Sequence, residues 1–108
     1  MSNYIQVEIG GKLRGLKFSQ ATNAEIIDRV EKIGGTTNEV LAGCIVIFCG
    51  LYINCLIKGV EVDFTFEDVC DWAEGMRVED INKITECYNS TIAFSADLPK
   101  KKIVRKKK

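Results

Sequence analysis

From Val40 to Ile57 the chain runs for eighteen residues without a charge, and within them only Asn54 is strongly polar. A stretch this long and apolar must be hidden from water along much of its length. A bilayer or a protein core can do that. The run is bounded tightly by Glu39 and Lys58 and contains Gly43, Gly50 and Asn54. Its neighbours have the pattern of soluble amphipathic helices, each needing an apolar surface to pack on. The central helix of a small bundle is therefore expected, with a single membrane span as the alternative. A chain of 108 residues has little material to surround such a helix, so self-association into a homo-oligomer is also expected.

The segment before this run reads as a hairpin. In Tyr-Ile-Gln-Val-Glu-Ile, residues 4–9, Ile5, Val7 and Ile9 alternate with Gln6 and Glu8, the period of a half-buried strand. Gly10-Gly11 supplies residues that tolerate positive φ, as a tight turn requires. Lys12 to Phe18 alternates again with Leu13, Leu16 and Phe18 apolar, and Gly15 breaks the phase, which predicts a bulge or turn distortion there. A two-stranded hairpin over 4–18 is marginal alone, so helices must cover its apolar face.

Helix starts carry capping signals. Thr22-Asn-Ala-Glu25 and Thr36-Thr-Asn-Glu39 both fit a capping box. Thr65-Phe-Glu-Asp68 is a third version, with Phe64 and Val69 spaced as a hydrophobic staple. Gly34-Gly35 ends the first helix, because glycine accepts the left-handed position after a helix. The expected fold is α+β and mostly α: the hairpin, then helices over about 23–33, 37–57, 66–75 and 78–94. The last has Val78, Ile81, Ile84, Tyr88 and Ile92 at helical spacing but no clear cap. One domain over 1–98 would precede a tail over 99–108.

That tail separates the charge. The chain has fifteen basic and fifteen acidic residues, and seven of the basic ones are Lys100, Lys101, Lys102, Arg105, Lys106, Lys107 and Lys108. Residues 1–99 are left with eight basic and fifteen acidic side chains, a net charge of −7. A disordered basic end after Pro99 is expected. It could give weak, salt-sensitive contacts to phosphates, so a nucleic-acid-associated protein is a competing reading. The acidic body and the lack of a recognised nucleic-acid motif argue against it.

Chemistry that most enzymes rely on is missing. The chain has no histidine, the commonest general base. Cys44, Cys49, Cys55, Cys70 and Cys87 are odd in number, and no two are spaced as Cys-x-x-Cys. They read as buried thiols in a reducing compartment, with no metal site. Gly10-Gly11-Lys12 lacks the leading glycine and the Ser or Thr of a phosphate loop, and Asp63 to Asp71 lacks the pattern of a calcium loop. No catalytic residues, cofactor or enzymatic activity are expected. The N-terminus shows no basic patch followed by an apolar stretch, so no secretory leader is expected and a cytoplasmic setting is.

One region suggests an interaction surface. Glu61, Asp63, Glu67, Asp68, Asp71, Glu74, Glu79 and Asp80 crowd twenty residues, opposed only by Arg77. Most read as a solvated face with carboxylates placed well at helix N-termini. Phe66, Val69, Trp72, Ala73 and Met76 on the same short helix read first as core. Candidates for partner binding are Phe64, Phe66, Asp68 and Trp72, with Trp72 as anchor.

The glycine-turn hairpin Tyr4-Ile-Gln-Val-Glu-Ile-Gly-Gly-Lys-Leu-Arg-Gly-Leu-Lys-Phe18, the helical body, and Val62-Asp-Phe-Thr-Phe-Glu-Asp-Val-Cys-Asp-Trp72 together resemble the small tail assembly chaperones of long-tailed bacteriophages and prophages. The resemblance covers residues 4–94 as an order of elements. It implies a non-enzymatic, mostly helical, self-associating protein in the bacterial cytoplasm. Such a protein binds the tape measure protein, holds it soluble during tail assembly, and has the tail tube protein as a further partner. The family also implies a programmed frameshift, for which Lys100-Lys101-Lys102 would suit a slippery sequence near the end of a short product. A strong basic tail is not something the family requires.

Overall fold

The computed structural model describes residues 3–35 and 38–97, with side chains described as far as Ser90. The tail over 99–108, Thr36, Thr37 and the side chain of Ile92 lie outside that description. The order is β1 (Tyr4–Ile9), β2 (Lys12–Lys17), α1 (Gln20–Lys32), α2 (Glu39–Lys58), α3 (Phe66–Glu74) and α4 (Val78–Asp97). This is the expected hairpin followed by four helices.

β1 and β2 pair antiparallel from Tyr4↔Lys17 to Ile9↔Lys12. Gly10 and Gly11 both take positive φ, 65° and 85°, as the two-residue turn demands. The bulge expected at Gly15 is absent: Gly15 stands in regular register opposite Gln6. The residue out of phase is Leu13, which lies 63% exposed. Arg14, opposite the buried Val7, takes the inward position instead. Gly15 has another role. A Cβ there would lie 2.6 Å from the Tyr4 hydroxyl and 2.8 Å from the Asn54 amide nitrogen, so its bare backbone admits α2.

Two of the three capping boxes shift. α1 starts one turn earlier than Thr22 would set it. Ser19 is its N-cap and Thr22 sits at the third helical position. There Thr22 Oγ1 accepts from the Ser19 amide at 3.2 Å and donates to the Lys17 carbonyl at 2.5 Å. That second bond, from a residue only 1% exposed, ties the helix start to the end of β2 and moves the boundary. Glu25 pairs with Arg29 at 2.8 Å instead of closing a box. α2 starts after Asn38, whose Oδ1 accepts from the Leu41 amide at 3.1 Å, and Glu39 occupies its first helical position. The third box forms as read: Thr65 Oγ1 accepts from the Asp68 amide at 3.1 Å, and Asp68 Oδ2 accepts from the Thr65 amide at 3.0 Å. Beyond α1, the Gly35 amide reaches the Val30 carbonyl and the Gly34 amide that of Glu31, a Schellman end with both glycines at positive φ.

α2 is the centre of the molecule. It packs on β2, α1 and α3, and Cys44, Ile45, Ile47, Phe48, Cys49, Gly50, Leu51 and Ile53 are buried. By length and composition it could cross a membrane, with a mean hydropathy of 2.5, yet 44% of its most apolar window is already covered by the protein itself. Gly50 allows a close approach to the hairpin: a Cβ there would lie 2.9 Å from Phe18 Cε1 and Cζ. α4 closes the other side of the hairpin, with Ile84 and Cys87 buried and Tyr88 meeting Phe18 edge-on at 5.9 Å. Val78 and Ile81 fall outside the buried stripe of α4, at 71% and 36% exposure, and Asp80 lies inside it at 5%.

Candidate partner-binding surface

The segment from Asp63 to Trp72 is where the hairpin, α2 and α3 meet. Asp63 accepts from Lys12 Nζ and from Arg14 Nη1, each at 2.9 Å. Arg14 also donates from Nε to the Ile9 carbonyl at 2.8 Å. Its guanidinium lies 4.7 Å from the Trp72 ring centre and 5.5 Å from that of Phe64. An arginine can occupy an inward strand position in this way: its stem and planar face cover aromatic rings, while its donors are satisfied at the rim. These two cations hold the Asp63 carboxyl down at about 2, chiefly through the Arg14 and Lys12 hydrogen bonds.

Phe64 is buried in an aromatic group centred on Phe48. Phe48 meets Phe64 at 5.6 Å and Phe66 at 5.7 Å, both edge-on, and stacks on Tyr52 at 5.7 Å. From the other side Arg29 lies 4.5 Å over the Phe48 ring. Phe64 also touches Trp72, with ring centres 6.3 Å apart. The four candidate residues thus have distinct placements. Phe64 is core, Asp68 holds the α3 cap, and Trp72 is half-buried under Arg14 and against Gly10. Phe66, half-buried, reaches an open cleft.

That cleft, about 360 Å³, lies between the C-terminal end of α1 and the start of α2. Ile33, Leu41, Ile45 and Phe66 line it, with Arg29 and Lys32 at its edge. Arg29 is paired to Glu25, and Lys32 to Asp28 at 3.1 Å, so the rim is close to neutral and the floor apolar. A second cleft of about 320 Å³ separates α2 from α4 and is lined by Val46, Ile47, Ile81, Ile84 and Tyr88. The N-terminal half of α2 is therefore flanked by apolar hollows on two sides, and Val40 at its start is 74% exposed.

Of the acidic residues, Asp63, Asp68, Glu79 and Asp80 are engaged, Asp68 at the α3 cap and Glu79 with Arg77 at 3.8 Å. Arg77 Nε donates to Asp80 Oδ2 at 3.3 Å. Glu67, Asp71 and Glu74 form no ion pair among the described residues and stay exposed. The five cysteines form no disulfide, but Cys55 and Cys70 are only half-buried, against the expectation of five buried thiols. Burial pushes the Cys49 thiol up to about 12. Burial, then contact with Cys44, raises Cys70 to about 11, so neither is a ready nucleophile. Sequence reasoning missed Arg14 and Asp63 as a pair. The signal available was the broken alternation around Arg14, where two leucines three apart cannot share a strand face. No family model, curated protein or solved structure matches this chain.

Proposed function

We propose that this protein is a tail assembly chaperone of a long-tailed bacteriophage or prophage. In this reading it is non-enzymatic and self-associating, and works in the bacterial cytoplasm. It binds apolar helical segments of the tape measure protein and holds them soluble, with the tail tube protein as a further partner. One observation carries the reading: the most apolar helix of the chain is exposed at its first turn, with Val40 at 74%, and is flanked there by two apolar clefts. A groove of this kind suits the apolar face of an amphipathic helix, which anchors at three- and four-residue intervals.

The test is co-expression with fragments of a tape measure protein. A soluble complex is expected, weakened by Ile33→Asp, which places a charge in the cleft at a residue 51% exposed and so spares the core. Failure of every fragment to co-purify with the unaltered protein would overturn the reading.

A further inference from the structure

β1 and β2 form a sheet of two strands, so each keeps one edge that the other cannot reach. Register shows which groups lie there. The Phe18 amide donates to the Asn3 carbonyl at 2.7 Å. By the alternation of an antiparallel ladder, Ile5–Leu16, Val7–Arg14 and Ile9–Lys12 are then the hydrogen-bonded pairs. The backbone groups of Gln6 and Glu8 therefore point away from β2.

The two edges are treated differently by the fold. Along β2, α2 passes close by, with Gly50 against Leu16 and Phe18 and Asn54 against Gly15. The outward carbonyl of Lys17 accepts from Thr22. Along β1, α4 packs on the strand, yet no backbone partner among the described residues takes the Gln6 or Glu8 groups, and both side chains are exposed. β1 also lacks the usual edge protection. Tyr4–Ile9 contains no proline and no lysine, its register has no bulge, and its one charge is Glu8.

We propose that the edge of β1 at Gln6 and Glu8 is a self-association strand, pairing antiparallel with β1 of a second copy about a two-fold axis at Gln6. Charge and length allow a second copy as occupant and favour this register. Centred on Gln6, the pairing sets Gln6 against Gln6, Ile5 against Val7 and Glu8 against Tyr4, and no like charges meet. Centred on Glu8, it would oppose two carboxylates. Centred on Val7, it would run Tyr4 onto the turn at Gly10, where φ of 65° leaves the strand. The result is a four-stranded sheet with β2 at each end, whose interface is the same patch on both copies.

The proposal rests on the self-association in the reading above and not on the tape measure protein. Its test is light scattering across a concentration series, joined to residue-resolved amide exchange on the full chain. Mass is expected to double as concentration rises, with the Gln6 and Glu8 amides gaining protection in step. Gln6→Pro, which removes the central donor, is expected to return the mass to that of a monomer with unchanged far-UV circular dichroism. If that variant does not fold, exchange on the unaltered chain decides. A monomer at every concentration, or a dimer whose Gln6 and Glu8 amides exchange as exposed groups, overturns the proposal. So does protection that appears only when a tape measure fragment is added, because the edge would then belong to that partner. Fragment binding by a strictly monomeric chain would remove the strand pairing and leave the chaperone reading standing.

Discussion

A methyl group at Gly10 would sit 2.5 Å from Cε2 of Trp72, so the indole closes directly over the hairpin turn. Two penalties then fall on Gly10→Ala: an overpacked contact of about 1–3 kcal/mol and a left-handed backbone costing about 1–2 kcal/mol. Gly11 has the same backbone sign, with nothing within 4 Å of a Cβ. Gly11→Ala should carry the backbone penalty alone. Urea unfolding of the two variants should give the lower midpoint for Gly10→Ala. Equal midpoints would mean that Trp72 moves aside freely.

Glycines within α2 should respond with opposite signs. At Gly50 a Cβ would meet Phe18 at 2.9 Å and Leu16 Cδ2 at 3.2 Å, and both side chains are fully enclosed. The clash of about 1–3 kcal/mol outweighs the helix-propensity gain of about 1 kcal/mol, so Gly50→Ala destabilises. Gly43 is exposed and has nothing within 4 Å. Gly43→Ala should stabilise by about 0.5–1 kcal/mol. Thermal melts of the pair check this directly.

Asp63 gives the stability a specific acid dependence. Its carboxyl ionises at about 2 in the folded protein, against an ordinary value of 3.8. A lowered folded value means that the contribution is complete above about pH 4 and disappears as pH falls toward about 2. Other carboxylates titrate over the same window, so the comparison is with Asp63→Asn. The difference in melting temperature between the two proteins should shrink across that interval. A difference that stays constant down to pH 2 would show that the Lys12 and Arg14 bonds do not act through the charge.

Thr65→Ala should cost about 1 kcal/mol through loss of the α3 cap. Asp68→Ala removes the reciprocal bond, and the double variant should cost less than the sum of the singles, because each bond supports the other. Strict additivity in denaturant unfolding would argue that the two bonds act independently.

Features written in adjacent residues were the readable ones. The turn at Gly10-Gly11, the Thr65–Asp68 box and the end of α1 at Gly34-Gly35 depend on backbone groups three to five residues apart, and each formed as its local pattern implied. Where a local pattern failed, a distant residue had outbid it. Thr22 was drawn from a cap position by the Lys17 carbonyl, and Arg14 displaced Leu13 from the inward face because Asp63 and Trp72 could receive it. The clefts beside α2 were unreadable for the same reason. Hydropathy marks the helix as apolar but cannot say which of its sides the rest of the chain leaves uncovered.

α4 meets β1 across most of the length of the chain, the widest sequence separation among the main contacts between elements. Loop closure makes such a contact late to form. α4 is thus expected to behave as its own cooperative unit, opening below the free energy of global unfolding, which native-state amide exchange along Val78–Asp97 would register. Each opening would widen the α2–α4 cleft into a continuous trough. The proposed binding surface would then be a thermally sampled state, and its capacity would be set by how firmly one helix stays shut.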